Sequence, residues 1–335
     1  MKYFKGSVLA TSIGLLAAAW IGYGQQGTIT SLLDVLFVVI VLAVLEVSLS
    51  FDNAIVNARV LKNMDALWRR RFLTWGMLIA VFGMRVLFPL LIVAVIGALS
   101  PGEALRLALY DSPAYERIML TAEPYIIGFG ASFLFLVGIS YFFDAQKEVH
   151  WIHRLEMYLQ KIGRLYLAEV MLVLGAGTLV AYHLPAPIQF PFLVACISGI
   201  ITFTLVRWIE TLTEHVGKDM TKSVASAGLA SFLYLEVVDA SFSFDGVIGA
   251  FALSNNILII AIGLGIGAFF VRSFTIMLVE RNTLDTYKYL EHGAFWALLA
   301  LATMMYAGLF IHIPEVIVGS VGLAFLAASF VSSRR

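Results

Sequence analysis

Five carboxylates, Glu46, Asp52, Glu236, Asp239 and Asp245, sit inside long apolar runs of a chain that has few charges to spare. Around them the polar residues are Ser48, Ser50, Ser241, Ser243 and Asn53, with no His or Cys, so every candidate ligand atom is oxygen. An all-oxygen set suits Mg2+, Ca2+ or Mn2+ better than Zn2+, Cu or Ni2+. An ionisable group at a bilayer centre costs about 2.5–3.5 kcal/mol on insertion scales, so each needs a partner or a wet cavity. Arg85 and Arg272 are the cations within the same runs, and structural pairing with them would leave three carboxylates over. Such an excess of negative charge is what a site for a cation or for protons leaves in the empty protein. The serines have no His or Lys in the runs to activate them, which speaks against a hydrolase.

The spacing adds a geometric demand. Glu46 and Asp52 are six residues apart, as are Asp239 and Asp245. On an unbroken helix each pair diverges by about 120° and is separated by about 9 Å along the axis. Bringing them together calls for helix breaks near Ser48–Asp52 and Ser241–Gly246, where Asn53 and Gly246 tolerate unusual backbone angles. Exposed backbone there is allowed at membrane depth only around a cavity. Glu236 and Asp239, three apart, share a helix face already.

These residues fall in a repeat. Residues 46–54 read Glu-Val-Ser-Leu-Ser-Phe-Asp-Asn-Ala and residues 239–247 read Asp-Ala-Ser-Phe-Ser-Phe-Asp-Gly-Val. In the apolar run after each copy, Gly76, Phe82 and Arg85 answer Gly263, Phe269 and Arg272, each Gly nine residues before its Arg.

The elements that must position them are membrane helices. The 335-residue chain is 61% hydrophobic and 13% charged, against about 45–50% and about 25% for soluble domains. A bilayer core of about 30 Å takes roughly 20 apolar residues per helix. Ten stretches qualify, near 6–24, 31–57, 73–99, 126–143, 165–183, 190–208, 224–253, 257–279, 293–311 and 316–331. Starting from a cytoplasmic N-terminus, they place 18 of the 22 Lys and Arg on the cytoplasmic side, in keeping with the positive-inside rule. The predicted fold is an all-α polytopic membrane protein of about ten transmembrane helices, or nine if the first is cleaved as a signal peptide. With this topology the two motif-bearing spans run in opposite senses, an inverted repeat of the kind secondary transporters build around a midplane site. The units read as an N-terminal helix or signal anchor over 1–30, a first repeat over 31–143, a two-helix linker over 144–223, an inverted repeat over 224–311 and a last helix over 312–335. A net charge of zero argues against nucleic-acid binding. The lone Cys196 excludes a disulfide framework within the chain and reads as a core residue, and Gly263, Gly265 and Gly267 read as close helix packing.

Glu46 through Ala54 is similar to the Glu-x-x-Leu-Ser-x-Asp-Asn segment of the TerC family of membrane proteins, named for tellurium resistance. Glu236-Val-Val-Asp239-Ala-Ser-Phe-Ser-Phe-Asp245 is similar to that family's Glu-Leu-Thr-Asp-x-x-Phe-x-x-Asp, and Tyr289-Leu290-Glu291-His292-Gly293 to its Tyr-Leu-x-x-Gly. After Asp245 the chain departs, reading Gly-Val-Ile-Gly where many members have Ser-Ile-Pro-Ala, and residues 144–223 are extra. The resemblance implies Mn2+ efflux carried by Glu46, Asp52, Asn53, Glu236, Asp239 and Asp245, with Ser50, Ser243, Arg85 and Arg272 in support.

The expectation is a non-enzymatic divalent-cation exporter of a bacterial inner membrane, both termini cytoplasmic. It binds no permanent cofactor, takes Mn2+ as substrate and uses protons, exchanged at coupled carboxylates, as coupling ion. The competing expectations are a proton-coupled exporter of a small solute or oxyanion held by Arg85 and Arg272, and a membrane scaffold with no transport activity.

Overall fold

In lipid a backbone satisfies its polar groups only in helices or closed barrels; this chain takes helices, with no strand among the described residues. The structure is a computed structural model. It describes residues 3–165, 167–215, 220–251 and 253–334, without the side chains of residues 25, 210–215, 220–227, 244, 245 and 248.

The helices are α1 (Lys5–Gln26), α2 (Ile29–Leu49), α3 (Phe51–Asn63), α4 (Ala66–Arg71), α5 (Phe88–Ile96), α6 (Pro101–Tyr110), α7 (Ser112–Phe143), α8 (His153–Ile162), α9 (Ala168–His183), α10 (Ala186–His215), α11 (Met220–Ala250), α12 (Ile257–Glu280), α13 (Thr283–Thr286), α14 (Leu290–Gly308) and α15 (Glu315–Ser333). Between α4 and α5 the chain forms two π-helical segments, Phe72–Gly76 and Ile79–Leu87. Local chemistry marks the ends: Gly27, at φ 66°, closes α1, and Thr28 accepts from the Ser31 backbone to open α2. A reciprocal Ser100–Glu103 capping box starts α6, and the Asn256 side chain starts α12.

Seven stretches among the described residues are long and apolar enough to cross a membrane: Lys5–Gly24, Ile29–Leu49, Ala66–Ile96, Ser112–Phe143, Ala186–Ile209, Ile257–Glu280 and Glu315–Ser333. Their outward faces carry large apolar side chains such as Leu16, Trp20, Phe37, Val95 and Phe190, a surface that belongs in lipid. The protein is membrane-embedded and multi-pass.

The most buried of these helices is α7, wrapped by α9, α10, α11 and α14. Its 32 residues reach about 48 Å, so it begins well before the predicted span at 126–143. Cys196 is fully buried beside Tyr306, as expected of a core residue. Ion pairs between Arg59 and Glu291, Lys62 and Asp285, Lys147 and Glu156, and Arg207 and Glu169 join segments that the charge count assigns to a common side.

Two expectations about the backbone resolve differently. The predicted span at 31–57 is interrupted at Ser50, where φ −105° and ψ 14° separate α2 from α3. The matching break at Ser241–Gly246 does not occur, and α11 is continuous through it to Ala250. The serines account for part of this. Ser241 donates to the Val237 carbonyl of its own helix at 2.8 Å, whereas Ser50 donates to the Glu46 carboxylate at 3.0 Å. Gly246 serves close approach instead of a bend, since a methyl there would stand 3.3 Å from Glu46 Oε2.

Candidate cation site

Glu46 reaches the interior because Gly267 lets it. A Cβ at Gly267 would lie 2.5 Å from Glu46 Cβ, and one at Gly263 would lie 2.6 Å from Leu42 Cβ, so α2 packs on the glycine face of α12. The Glu46 carboxylate then accepts from Ser50 and from the Arg85 guanidinium, and both ionic side chains are almost fully buried. Arg85 comes from the second π-helical segment and also donates to the Ala80 carbonyl. π-Helical turns are rare and concentrate at functional sites.

Across from Glu46, α11 supplies Asp239. Its Oδ1 accepts from Asn53 Nδ2 at 2.9 Å and from Asn57 Nδ2 at 2.7 Å, two amides one turn apart on α3. Glu46, Ser50, Asn53, Asn57, Asp239 and Ser243 line one cavity of about 50 Å3, with Arg85 and Arg272 on its wall. One water needs about 10–15 Å3 by this measure, so the space suits an ion with a few waters and not a sizeable organic solute. Asn53 Oδ1, Asn57 Oδ1 and Ser243 Oγ are buried with no hydrogen-bond partner among the described residues. Unpartnered buried oxygens are costly, and three around one cavity are acceptors in want of a positive charge.

The remaining sequence candidates lie outside the lining. Asp52 is buried, but its Oδ1 accepts from the Asn53 backbone and it does not face the cavity. The helix resumes at Phe51, so the Ser50 interruption leaves Asp52 on a different face from Glu46. Glu236 lies one layer back: a Cβ on Gly76, itself a lining residue, would stand 2.7 Å from Glu236 Oε1. Both Glu236 oxygens are buried without a partner. Arg272 lines the cavity and pairs with no carboxylate among the described residues. The Asp245 side chain lies outside the described residues.

Of the six expected ligands, Glu46, Asn53 and Asp239 line the cavity, Asp52 and Glu236 are not among its lining residues, and the Asp245 side chain lies outside the described residues. Among the described residues no group of three or more His, Cys, Asp or Glu side chains stands together as metal ligands. The described charged lining balances two carboxylates against two guanidiniums, with Asp52 and Glu236 as further buried acids around it. Asn57 escaped the sequence reading, although an amide four residues after Asn53 was its signal, since i and i+4 share a helix face.

A second polar cluster also went unread. Glu156, fully buried at the start of α8, accepts from His292 Nδ1 at 2.8 Å, Trp296 Nε1 at 3.1 Å, Lys147 Nζ at 3.2 Å and the Trp151 and Ile152 backbone. Burial pushes this carboxyl up, but His292, Lys147 and Trp296 outweigh it and hold it at about 2. Lys147 shows no matching rise: burial outweighs Glu156 and brings its ammonium down to about 8. This clasp ties the segment 144–156 to α14 and explains His292 of the Tyr-Leu-Glu-His-Gly segment.

With this geometry in place, comparison with known proteins adds one relationship. Residues 51–335 match the family DUF475, described as a protein of unknown function. The chain belongs to that family. The DUF475 match takes in Asn53, Asn57, Arg85, Asp239, Ser243 and Arg272 and begins just after Ser50. It does not establish membership of the TerC family, and that likeness rests on the acidic segments. No curated protein and no solved structure matches the chain.

Proposed function

We propose that this DUF475 protein exports a divalent cation, Mn2+ in the first instance, across a bacterial inner membrane. The observation that carries the reading is the cavity between α2, α3, α11 and α12, where two carboxylates meet three buried oxygens that have no hydrogen-bond partner among the described residues. Glu46 and Asp239 supply charge, while Asn53, Asn57, Ser50 and Ser243 supply neutral oxygens, a set Mn2+ accepts. In this reading Asp52, Glu236 and Asp245 act as relay carboxylates that trade the cation for protons.

The ten-pass topology, with both termini in the cytoplasm and inverted repeats over 31–143 and 224–311, belongs to the same reading. Alternating access would rock the two halves about the shared site. The test is efflux from proteoliposomes containing the purified protein, surveyed over Mn2+, Mg2+ and Ca2+ with and without a pH gradient. The reading expects Mn2+ movement that a proton gradient accelerates and Asp239→Asn abolishes. Absence of any divalent-cation movement sinks it.

One observation favours a second reading. Arg272 faces the cavity with no carboxylate partner among the described residues, as a guanidinium that holds a small oxyanion would. Oxyanion transport lost in Arg272→Gln, with no metal effect, would select that reading.

A further inference from the structure

Glu46 is the best-placed anionic ligand of the cavity, and it is already taken. The Arg85 guanidinium holds one of its oxygens, both side chains are almost fully buried, and both line the cavity. A divalent cation among buried side chains calls for about two negative charges to balance it. With Arg85 docked on Glu46, Asp239 alone remains on the lining, and its Oδ1 is occupied by two amides. With Arg85 withdrawn, Glu46 and Asp239 face the ion together, and the unpartnered oxygens of Asn53, Asn57 and Ser243 complete the shell.

We propose that Arg85 is a tethered competitor: its guanidinium occupies the cation site when substrate is absent, and substrate binds only as Arg85 leaves Glu46. The inference rests on the cation reading above and concerns the regulation of that same site.

The backbone provides the means for the exchange. Arg85 is carried by the π-helical segment Ile79–Leu87, and the first π-helical segment, Phe72–Gly76, contributes lining residues a little earlier in the same span. A π-turn holds one residue more than an α-turn. Returning it to α-geometry shifts the residues beyond it by one position, about 100° around the axis, enough to carry Arg85 off Glu46. One helix can thus hold two registers, with Arg85 docked in one and withdrawn in the other. Such a latch also keeps an empty carrier neutral at Glu46 and prevents a leak of small monovalent ions.

The test uses the full-length protein in detergent and Mn2+ binding measured by titration calorimetry. Arg85→Gln removes the competitor and is expected to tighten Mn2+ by about tenfold or more, since it frees a buried carboxylate. In Glu46→Gln/Arg85→Gln that gain disappears, because the freed ligand is gone. Should Arg85→Gln not fold, Arg85→Lys carries the test. A single ammonium is a poorer match to the carboxylate than a guanidinium fork, so Mn2+ binding is expected to tighten a fewfold.

Unchanged or weaker binding in Arg85→Gln, or in Arg85→Lys where only it folds, overturns the latch. If wild type still binds Mn2+ and Asp239→Asn does not, the cation reading stands without it. No Mn2+ binding by any of these proteins overturns both.

Discussion

Between Glu46 and Arg85 the backbone is interrupted at Ser50 and widened into two π-helical segments, whereas from Glu236 to Arg272 the matching residues ride on α11 and α12, two continuous α-helices. The two stretches share Ser-x-Ser-Phe-Asp and a Gly nine residues before an Arg. What separates them is the partner each side chain finds. Ser50 serves a carboxylate and Ser241 serves its own helix; Arg85 is locked to Glu46 and Arg272 pairs with no described carboxylate. The lesson is a division of labour, with the first region as the adjustable wall of the cavity and the second as the frame it closes against.

The largest effect should come from the frame. Asp239→Asn, which leaves one acid on the described cavity lining, is expected to cut Mn efflux by well beyond the roughly 10–100-fold loss typical of a supporting residue. Asp52→Asn, off the cavity, should stay within that range. Equal losses in efflux assays would erase the distinction between lining and surrounding acids.

Next is the contrast between the two arginines. Glu46→Gln strands a buried guanidinium and should destabilise the protein by about 3–5 kcal/mol, where Glu46→Gln/Arg85→Gln recovers most of the loss. Arg272→Gln should change stability by about 1 kcal/mol or less, as a side chain with no carboxylate partner among the described residues gives up little. Thermal unfolding in detergent measures all three, and a large cost at Arg272 would show that the second region holds a latch of its own.

The glycines sharpen the comparison further. Gly76→Ala places a methyl 2.7 Å from Glu236 Oε1, and Gly263→Ala places one 2.6 Å from Leu42 Cβ. Each should cost about 1–3 kcal/mol by overpacking, but only Gly76→Ala should weaken Mn2+ binding, because only Gly76 lines the cavity. Smaller still, Ser50→Ala should cost about 1 kcal/mol, the worth of one hydrogen bond. Ser241→Ala should cost less, since a serine that bonds its own i−4 carbonyl adds little to its helix.

Acid probes the clasp outside both regions. Against the upward push of burial, the folded Glu156 carboxyl is held at about 2, below the ordinary 4.5 of a glutamate, by His292, Lys147 and Trp296. The stability it contributes is present above about pH 4.5 and is lost as pH falls through that window toward 2. Glu156→Gln should flatten this acid limb of the stability profile and leave Mn2+ binding near neutral pH intact. An unchanged acid limb would remove Glu156 as its source.

Much of this molecule was legible from residue order alone. Apolar run length pointed to seven stretches that the structure shows, among the described residues, as helices long and apolar enough to span, while the predicted spans at 165–183, 224–253 and 293–311 are not among them; lipid leaves a backbone few alternatives to the helix. The Arg59, Lys62, Lys147 and Arg207 ion pairs join segments that the placement of Lys and Arg assigns to a common side. The motif residues Glu46, Ser50, Asn53, Asp239 and Ser243 were recognisable by type, and they share one cavity. Tertiary structure alone decided that Ser50 interrupts its helix while Ser241 does not, that Asn57 joins the lining and Asp52 leaves it, and that Arg85 rather than Arg272 is latched. The physical reason is common to all of these. Lipid and helix periodicity act on every residue through its near neighbours in the chain, whereas a buried polar group settles on whichever distant partner satisfies it, and that partner exists only once α2, α3, α11 and α12 are packed.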